Sequence, residues 1–146
     1  MDSLNTVFIS YNHKDKKLLE SLRRHFATLN GKVEFWDDSK IYAGMKWNEE
    51  IKHALNKAKV AVLFISADFF NSKFIMENEL PVLLSAEKRG LTILSVILKP
   101  CLFELYPQIS KFQAMNSPSK TIIQMNEAER EMVWVNLVLR INELLK

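Results

Sequence analysis

The stretch VAVLFI, residues 60–65, is an unbroken apolar run bounded by Lys59 and Ser66. A run of this length suits a parallel strand that is covered by helices on both faces. A second stretch, TVFISY at residues 6–11, is rich in β-branched and aromatic residues and predicts the first strand of the same sheet. The two stretches together indicate an α/β protein with a buried parallel sheet.

The rest of the chain alternates between strand and helix periodicities. Three further strands are predicted, at residues 33–36, 91–97 and 121–123. Helices are predicted at residues 12–29, 47–57 and 74–88 and after Asn126, with a short helix within 99–119 and a loop at 68–73. Asn12 with Asp15, and Asn126 with Glu129, have the spacing of capping boxes. Five β/α units predict a single doubly wound, five-stranded parallel sheet of the flavodoxin-like kind.

The composition excludes several classes of function. The chain has 146 residues, 48% hydrophobic and 25% charged, so one globular domain is expected. Its single cysteine, Cys101, excludes an internal disulfide and a multi-cysteine zinc site, and it fits a reducing, cytoplasmic location. The three glycines lie too far apart to form a glycine-rich phosphate loop. A net charge of only +3 and the lack of a long apolar run argue against nucleic-acid and membrane partners.

Ligands of a doubly wound sheet bind beyond the carboxyl ends of the strands. The candidate functional segments are therefore residues 10–12, 37–47 and 66–79, which follow the first three strands. A phosphoacceptor receiver domain would need an acidic pair after the first strand and an aspartate at the end of the third. Here the acidic pair, Asp37 and Asp38, follows the second strand instead. The sequence therefore disfavours a receiver domain.

Three motifs, in order along the chain, resemble those of Toll/interleukin receptor (TIR) domains. VFISY at residues 7–11, followed by HKD, resembles the first TIR box. FWDD at residues 35–38, with the glycine and tryptophan that follow, is similar to the loop and helix of bacterial TIR domains. AVLFIS at 61–66 and ELP at 79–81 match the third strand and the acidic helix after it. The resemblance covers nearly the whole chain, and it implies that residues 1–146 form one TIR domain.

The resemblance implies an enzyme that cleaves NAD+ at the nicotinamide–ribose bond, with NAD+ as the substrate and with neither a cofactor nor a metal. The glutamate that bacterial and plant TIR domains use matches Glu79. Cleavage develops oxocarbenium character on the ribose, and a carboxylate stabilises that charge. Nicotinamide leaves as a neutral molecule from a cationic ring, so no strong general acid is needed. Glu77 lies about 200° around the helix and is expected to be an ordinary exposed carboxylate.

Seven further residues are expected to bind the substrate. They lie near the ends of the first three strands and on the helices that follow: Ser10, Tyr11, Asp37, Gly44, Trp47, Ser66 and Phe74. Structural roles are the alternatives for four of them, namely a half-buried strand end for Tyr11, a turn or cap for Asp37, loop conformation for Gly44 and a helix anchor for Trp47. The tryptophan that the family carries four residues before the glutamate is replaced by Ile75, and Phe74 is the aromatic candidate to substitute for it.

Pro81 falls inside the helix predicted at residues 74–88. Proline lacks a backbone N–H and clashes with the carbonyl four residues earlier, so it predicts a kink or a first helical turn next to Glu79. We expect this irregularity to shape the rim of the substrate pocket.

The sequence therefore predicts an NAD+ glycohydrolase that releases nicotinamide and either ADP-ribose or a cyclic isomer of it. The expected setting is antiphage defence, with activation by self-assembly into a homo-oligomer or filament with other TIR domains. A sensor domain beyond Lys146, or in a partner, would control that assembly. The alternative is a non-catalytic adaptor that only assembles with other TIR domains; Glu79 favours the enzyme and Ile75 favours the adaptor.

Overall fold

In the computed structural model, parallel strands form one sheet in the order β2-β1-β3-β4. The structure describes residues 5–29, 31–41 and 43–146. Within these ranges the four strands are β1 Asn5–Ser10, β2 Val33–Trp36, β3 Ala58–Ile65 and β4 Thr92–Ile97. The β3 side chains from Val60 to Ile65 have no exposed surface, as expected for a central strand. The predicted α/β fold with a parallel sheet is confirmed.

Helices cover both faces of the sheet. In the described part of the chain the α-helices are α1 Glu20–Phe26, α2 Trp47–Lys57, α3 Ala67–Asn71, α4 Leu80–Lys88, α5 Pro107–Ser110 and α6 Glu127–Leu144. Helices α2 and α4 pack on one face, and α1 and α6 pack on the other. The predicted capping box begins α6, since the Glu129 N–H donates to the Asn126 side chain at 2.8 Å and Glu129 accepts the Asn126 N–H at 3.1 Å.

Strand β1 presents alternate side chains to the two faces. Phe8 belongs to the core beneath α2 and α4, whereas Val7, Ile9 and Tyr11 belong to the core beneath α1 and α6. Side chains alternate with a period of two along a strand. Ser10 and Tyr11, although adjacent in sequence, therefore point to opposite faces of the sheet.

The fifth strand predicted at residues 121–123 is wrong. The segment forms a 3-10 turn, Ile122–Gln124, in which the Gln124 side chain accepts the backbone N–H and the hydroxyl of Thr121 at 2.8 and 2.9 Å. Thr121 thus uses its polar groups locally, which favours a turn over an extended ladder. The free edge of β4 is met instead by a single parallel bridge between Ser95 and Ala114.

The structure also differs from two local predictions on the carboxyl side of the sheet. The first predicted helix begins as a 3-10 helix, His13–Leu19, in which Asn12 accepts the Lys14 N–H at 2.9 Å. Asp15 does not complete the predicted capping box, because its carboxylate is buried and pairs with Lys99 instead. Part of the loop predicted at residues 68–73 is helical, since α3 ends at Asn71.

The helix predicted at residues 74–88 is irregular at its start. Ile75–Glu79 form a π turn, and α4 follows with Pro81 in its first turn. The Leu80 N–H bonds to the carbonyl of Ile75, five residues earlier. The irregularity expected from Pro81 is present, and it lies beside Glu79.

Candidate active site

Glu79 and Ser10 meet at the carboxyl edge of the sheet. The Ser10 hydroxyl donates to Oε1 of Glu79 at 2.7 Å, and only 1% and 2% of the two residues are exposed. Ser10 is the last residue of β1, and Glu79 lies at the junction of the π turn and α4. The chain thus brings together two residues that are 69 positions apart, at the place where ligands bind in this kind of fold.

Burial makes the Glu79 carboxyl difficult to ionise. Desolvation raises its pKa from about 4.5 to about 8, against the opposing effect of the hydrogen bond from Ser10. The negative charges of Asp38 and Asp37 make smaller contributions to this same rise. A buried carboxyl with a strongly shifted pKa near a strand end is a typical feature of a functional site.

The acidic pair after β2 is held by local contacts. Asp37 accepts the Ser39 N–H at 2.9 Å and also the Ser39 hydroxyl, and so caps the 3-10 turn Asp38–Lys40. Asp38 pairs with Nε2 of His13 at 3.1 Å. Burial raises the pKa of Asp38, His13 lowers it and Asp37 raises it. The turn-and-cap alternative for Asp37 therefore matches the geometry, while both carboxylates remain electrostatically coupled to Glu79.

An aromatic pair lies at the start of α2. The rings of Trp47 and Phe74 meet edge to face, with centroids 5.4 Å apart and an interplanar angle of 64°. Trp47 remains 41% exposed, whereas Ile75, next to Phe74, is buried in the core. The aromatic residue shifted by one position thus lies against the tryptophan that the sequence predicts as part of the site.

Tyr11 and Asp37 line a cleft on the face of the sheet that α1 and α6 cover. This cleft, of about 180 Å³, lies between β1, β2 and α1 and includes Arg23, Phe26 and Phe35. Tyr11 is buried there, and burial together with the charge of Asp37 raises the pKa of its hydroxyl. The structure therefore separates Tyr11 from Ser10 and Glu79 across the sheet.

Ser66 is occupied by structural contacts. Its hydroxyl donates to Oδ2 of Asp15 at 2.5 Å and accepts the Phe69 N–H at 3.0 Å, which begins α3. The other Asp15 oxygen, Oδ1, lies 2.8 Å from Nζ of Lys99, beyond the end of β4. This buried network ties together the ends of β1, β3 and β4. No local pattern in the sequence links Asp15 to Lys99, so this network could not be predicted from the sequence.

Gly44 adopts a backbone φ of +90°, in the left-handed region that favours glycine. Among the described residues other than its two chain neighbours, no atom lies within 4 Å of the position that a Cβ would occupy there. The geometry matches the loop-conformation alternative for this residue.

Metal-binding clusters and membrane-spanning helices are both absent from the described residues. No group of three or more His, Cys, Asp and Glu side chains among them could hold a metal ion. None of the helices in residues 5–29, 31–41 and 43–146 is long and apolar enough to cross a membrane.

Fold and site together define a parallel α/β domain with a buried carboxyl at the carboxyl edge of its sheet. The TIR domain family model matches residues 7–132, and the chain belongs to this family. TIR domains generally interact with other TIR domains and act in signalling, and some of them cleave NAD+.

Individual relatives are distant. The chain is 28% identical over 138 residues to the uncharacterised protein y4lF of Sinorhizobium fredii, and the match covers 92% of this chain but only 42% of that protein. The TIR domain of the Toll-related receptor TRR-2 from Hydra magnipapillata superposes with a TM-score of 0.60 at 16% identity, over 93% of this chain and 97% of that one. A diflavin flavoprotein A3 from Nostoc gives a TM-score of 0.59 at 9% identity, over 98% and 97%. At these identities the two solved structures show a shared fold alone.

Proposed function

We propose that this chain cleaves NAD+ at the bond between nicotinamide and ribose. The observation that carries the proposal is the Glu79 carboxyl, which is buried against Ser10 at the ligand-binding edge of the sheet. Burying an ionisable carboxyl without a cationic partner is costly for folding. Such a cost is typical of a group retained for chemistry.

The proposed reaction needs one carboxylate and water. The C1′–N bond breaks, and its electron pair moves onto the ring nitrogen of nicotinamide, which leaves as a neutral molecule. The ribose becomes an oxocarbenium ion that the Glu79 carboxylate stabilises. Water then adds at C1′ and loses a proton, giving ADP-ribose. Attack by a nucleophile of the ADP-ribose itself, in place of water, gives the cyclic isomer.

The protonation of Glu79 fits a substrate that carries a positive charge. With a pKa of about 8, the free carboxyl is largely neutral at pH 7. A cation close to a buried carboxyl lowers its pKa. The nicotinamide ring of NAD+ is such a cation, so substrate binding favours the carboxylate that the transition state requires.

The aromatic pair supplies a surface for a planar ring. Trp47, at the start of α2, is 41% exposed while its ring meets that of Phe74 edge to face. Planar nucleobase-like rings stack well on such side chains. We propose Trp47 and Phe74 as the wall of the substrate site, with Ser10 and Glu79 as its polar end.

Self-association would complete the site. Every residue from Ala43 to Trp47 is exposed, so the segment presents its surface to a neighbouring subunit. Ordering the backbone costs about 1–2 kcal/mol per residue, which a neighbouring TIR domain could supply by packing against the segment. Head-to-tail contacts of this kind extend into filaments unless they close. Nicotinamide release per subunit should then rise with protein concentration, and a flat rate across a hundredfold dilution would contradict it.

The biological setting that we propose is antiphage defence in the cytoplasm. A sensor domain outside this chain would gather TIR domains and raise their local concentration. The chain spans 42% of the length of its Sinorhizobium fredii relative, so that relative has room for further domains.

The adaptor alternative is favoured by one observation, the replacement of the family's tryptophan by the buried Ile75. One experiment separates the two functions. The purified chain, at high concentration, is incubated with NAD+, and nicotinamide is measured by chromatography. The enzyme releases nicotinamide together with ADP-ribose or its cyclic isomer, whereas an adaptor leaves NAD+ intact.

A further inference from the structure

The backbone before α4 is wider than an α-helix. The Leu80 N–H donates to the Ile75 carbonyl, five residues back, where an α-helix would use the carbonyl four residues back. A π turn of this kind accommodates one extra residue, and such turns are often found at functional sites. Glu79 is its last residue, and α4 begins at the next position.

Pro81 gives a physical cause for this width. It has no N–H to donate to the Glu77 carbonyl, and in a regular helix its ring would collide with that carbonyl. A wider turn would relieve this collision. Proline is also well suited to the first turn of α4, where its missing N–H costs nothing. The Pro81 side chain is exposed, so it acts on the helix through the backbone and not through core packing.

The two ends of the segment are anchored independently. Phe74 contacts Trp47 before the turn and Ile75 is buried as the first residue of the turn, while Leu80 and Leu83 are buried after it. Residues of a regular helix are about 100° apart, so closing the π turn into a regular helix would rotate one set of anchors relative to the other by about that amount. Glu79 lies between the two sets of anchors. Because burying its carboxyl costs hydration, a rotation that returned the carboxyl to solvent would be favourable.

We propose that Pro81 is a positioning residue, which forces the π turn and thereby aims the Glu79 side chain at Ser10. Its effect on turnover rests on the proposed function of Glu79, but its effect on the position of Glu79 does not.

The test substitutes Pro81→Ala, which restores the N–H and removes no core contact. Pro107→Ala is the matched control, since Pro107 is another exposed proline in the first turn of a helix. Carboxyl resonances of ¹³C-labelled glutamate are titrated by NMR, and the Glu79 signal is assigned by its loss in Glu79→Gln. A misplacement of about 1 Å can cost roughly a hundredfold in rate.

We expect Glu79 in Pro81→Ala to titrate close to an ordinary glutamate, and nicotinamide release to fall by about a hundredfold. Pro107→Ala should match the wild type in both measurements. Should Pro81→Ala fold poorly, Pro81→Ser restores the same N–H and serves in its place. An unchanged Glu79 titration in the variant overturns the proposal, whatever the activity. If the wild type releases no nicotinamide, the proposed function fails, and the titration still decides the role of Pro81.

Discussion

The Ser10 hydroxyl donates a hydrogen bond of 2.7 Å to Glu79 in the interior of the protein, while Glu77, two residues earlier, is exposed to solvent. Two glutamates on one short segment therefore differ in burial and in hydrogen bonding. Glu77 keeps its hydration, whereas Glu79 loses its hydration and gains one hydroxyl donor. This contrast makes Glu77 an internal control for every experiment on Glu79.

The raised pKa of Glu79 predicts how stability depends on pH. The folded state holds a proton that the unfolded state releases between pH 4.5 and 8, so the free energy of unfolding should fall as the pH rises through that window. The loss is on the order of 4 kcal/mol. Urea unfolding at pH 5, 6.5 and 8 measures it. Glu79→Gln should remove most of this slope, and equal slopes for the two proteins would count against a buried, protonated Glu79.

The Ser10→Ala variant should shift the pH profile of nicotinamide release toward higher pH. The hydrogen bond from Ser10 lowers the pKa of Glu79, so its loss leaves the carboxyl harder to ionise. At pH 7 we expect a loss of at least about tenfold in rate, with partial recovery at higher pH. Ser95→Ala is the matched control, because Ser95 is a buried strand serine whose hydroxyl has no partner among the described residues. The same profile for both variants would rule out a role for Ser10.

Trp47→Ala should weaken NAD+ binding more than it destabilises the fold. Trp47 is 41% exposed, and stacking on an aromatic side chain contributes about 1–3 kcal/mol per base. We expect KM to rise about tenfold or more, with little change in Tm. Lys17→Ala, at an exposed position of the first 3-10 helix, is the control. An unchanged KM for Trp47→Ala would exclude the aromatic wall.

Lys99→Gln should destabilise the protein without involving Glu79. The Lys99 ammonium lies 2.8 Å from the fully buried Asp15 carboxylate, and its removal leaves that charge without its cation. Breaking such a pair typically costs about 3–5 kcal/mol. Lys120→Gln removes an exposed pair with Glu129, which is worth about 0–1 kcal/mol. Denaturant unfolding of both variants measures the difference, and similar losses would contradict a buried network.

The parts of the fold that depend on local pattern were predictable from the sequence. The strand at residues 60–65 is an apolar run with no polar interruption, and the Asn126–Glu129 capping box needs only the four residues that form it. The fifth strand failed because Thr121 and Gln124 satisfy each other within a turn, a competition that β-branched composition does not reveal.

The site was predictable only as far as residues could be assigned to strand ends. Strand alternation explains why Ser10 reaches Glu79 and Tyr11 does not, but the phase of that alternation depends on which face each helix covers. The Asp15–Lys99 pair joins segments 84 residues apart, so only the assembled sheet brings it together. The irregularity at Pro81 could be expected from proline chemistry, whereas the burial of Glu79 beside it depends on how Ile75 and Leu80 pack in the assembled fold.

The most direct test of the account is nicotinamide release from NAD+ by three proteins at the same high concentration: the wild type, Glu79→Gln and Glu77→Gln. Glutamine has nearly the shape of glutamate but carries no charge, and losing a charge aimed at a developing cation costs roughly a hundredfold or more in rate. We expect release by the wild type and by Glu77→Gln, and almost none by Glu79→Gln with an intact fold. Release by Glu79→Gln at the wild-type rate would rule out Glu79 as the catalytic carboxylate.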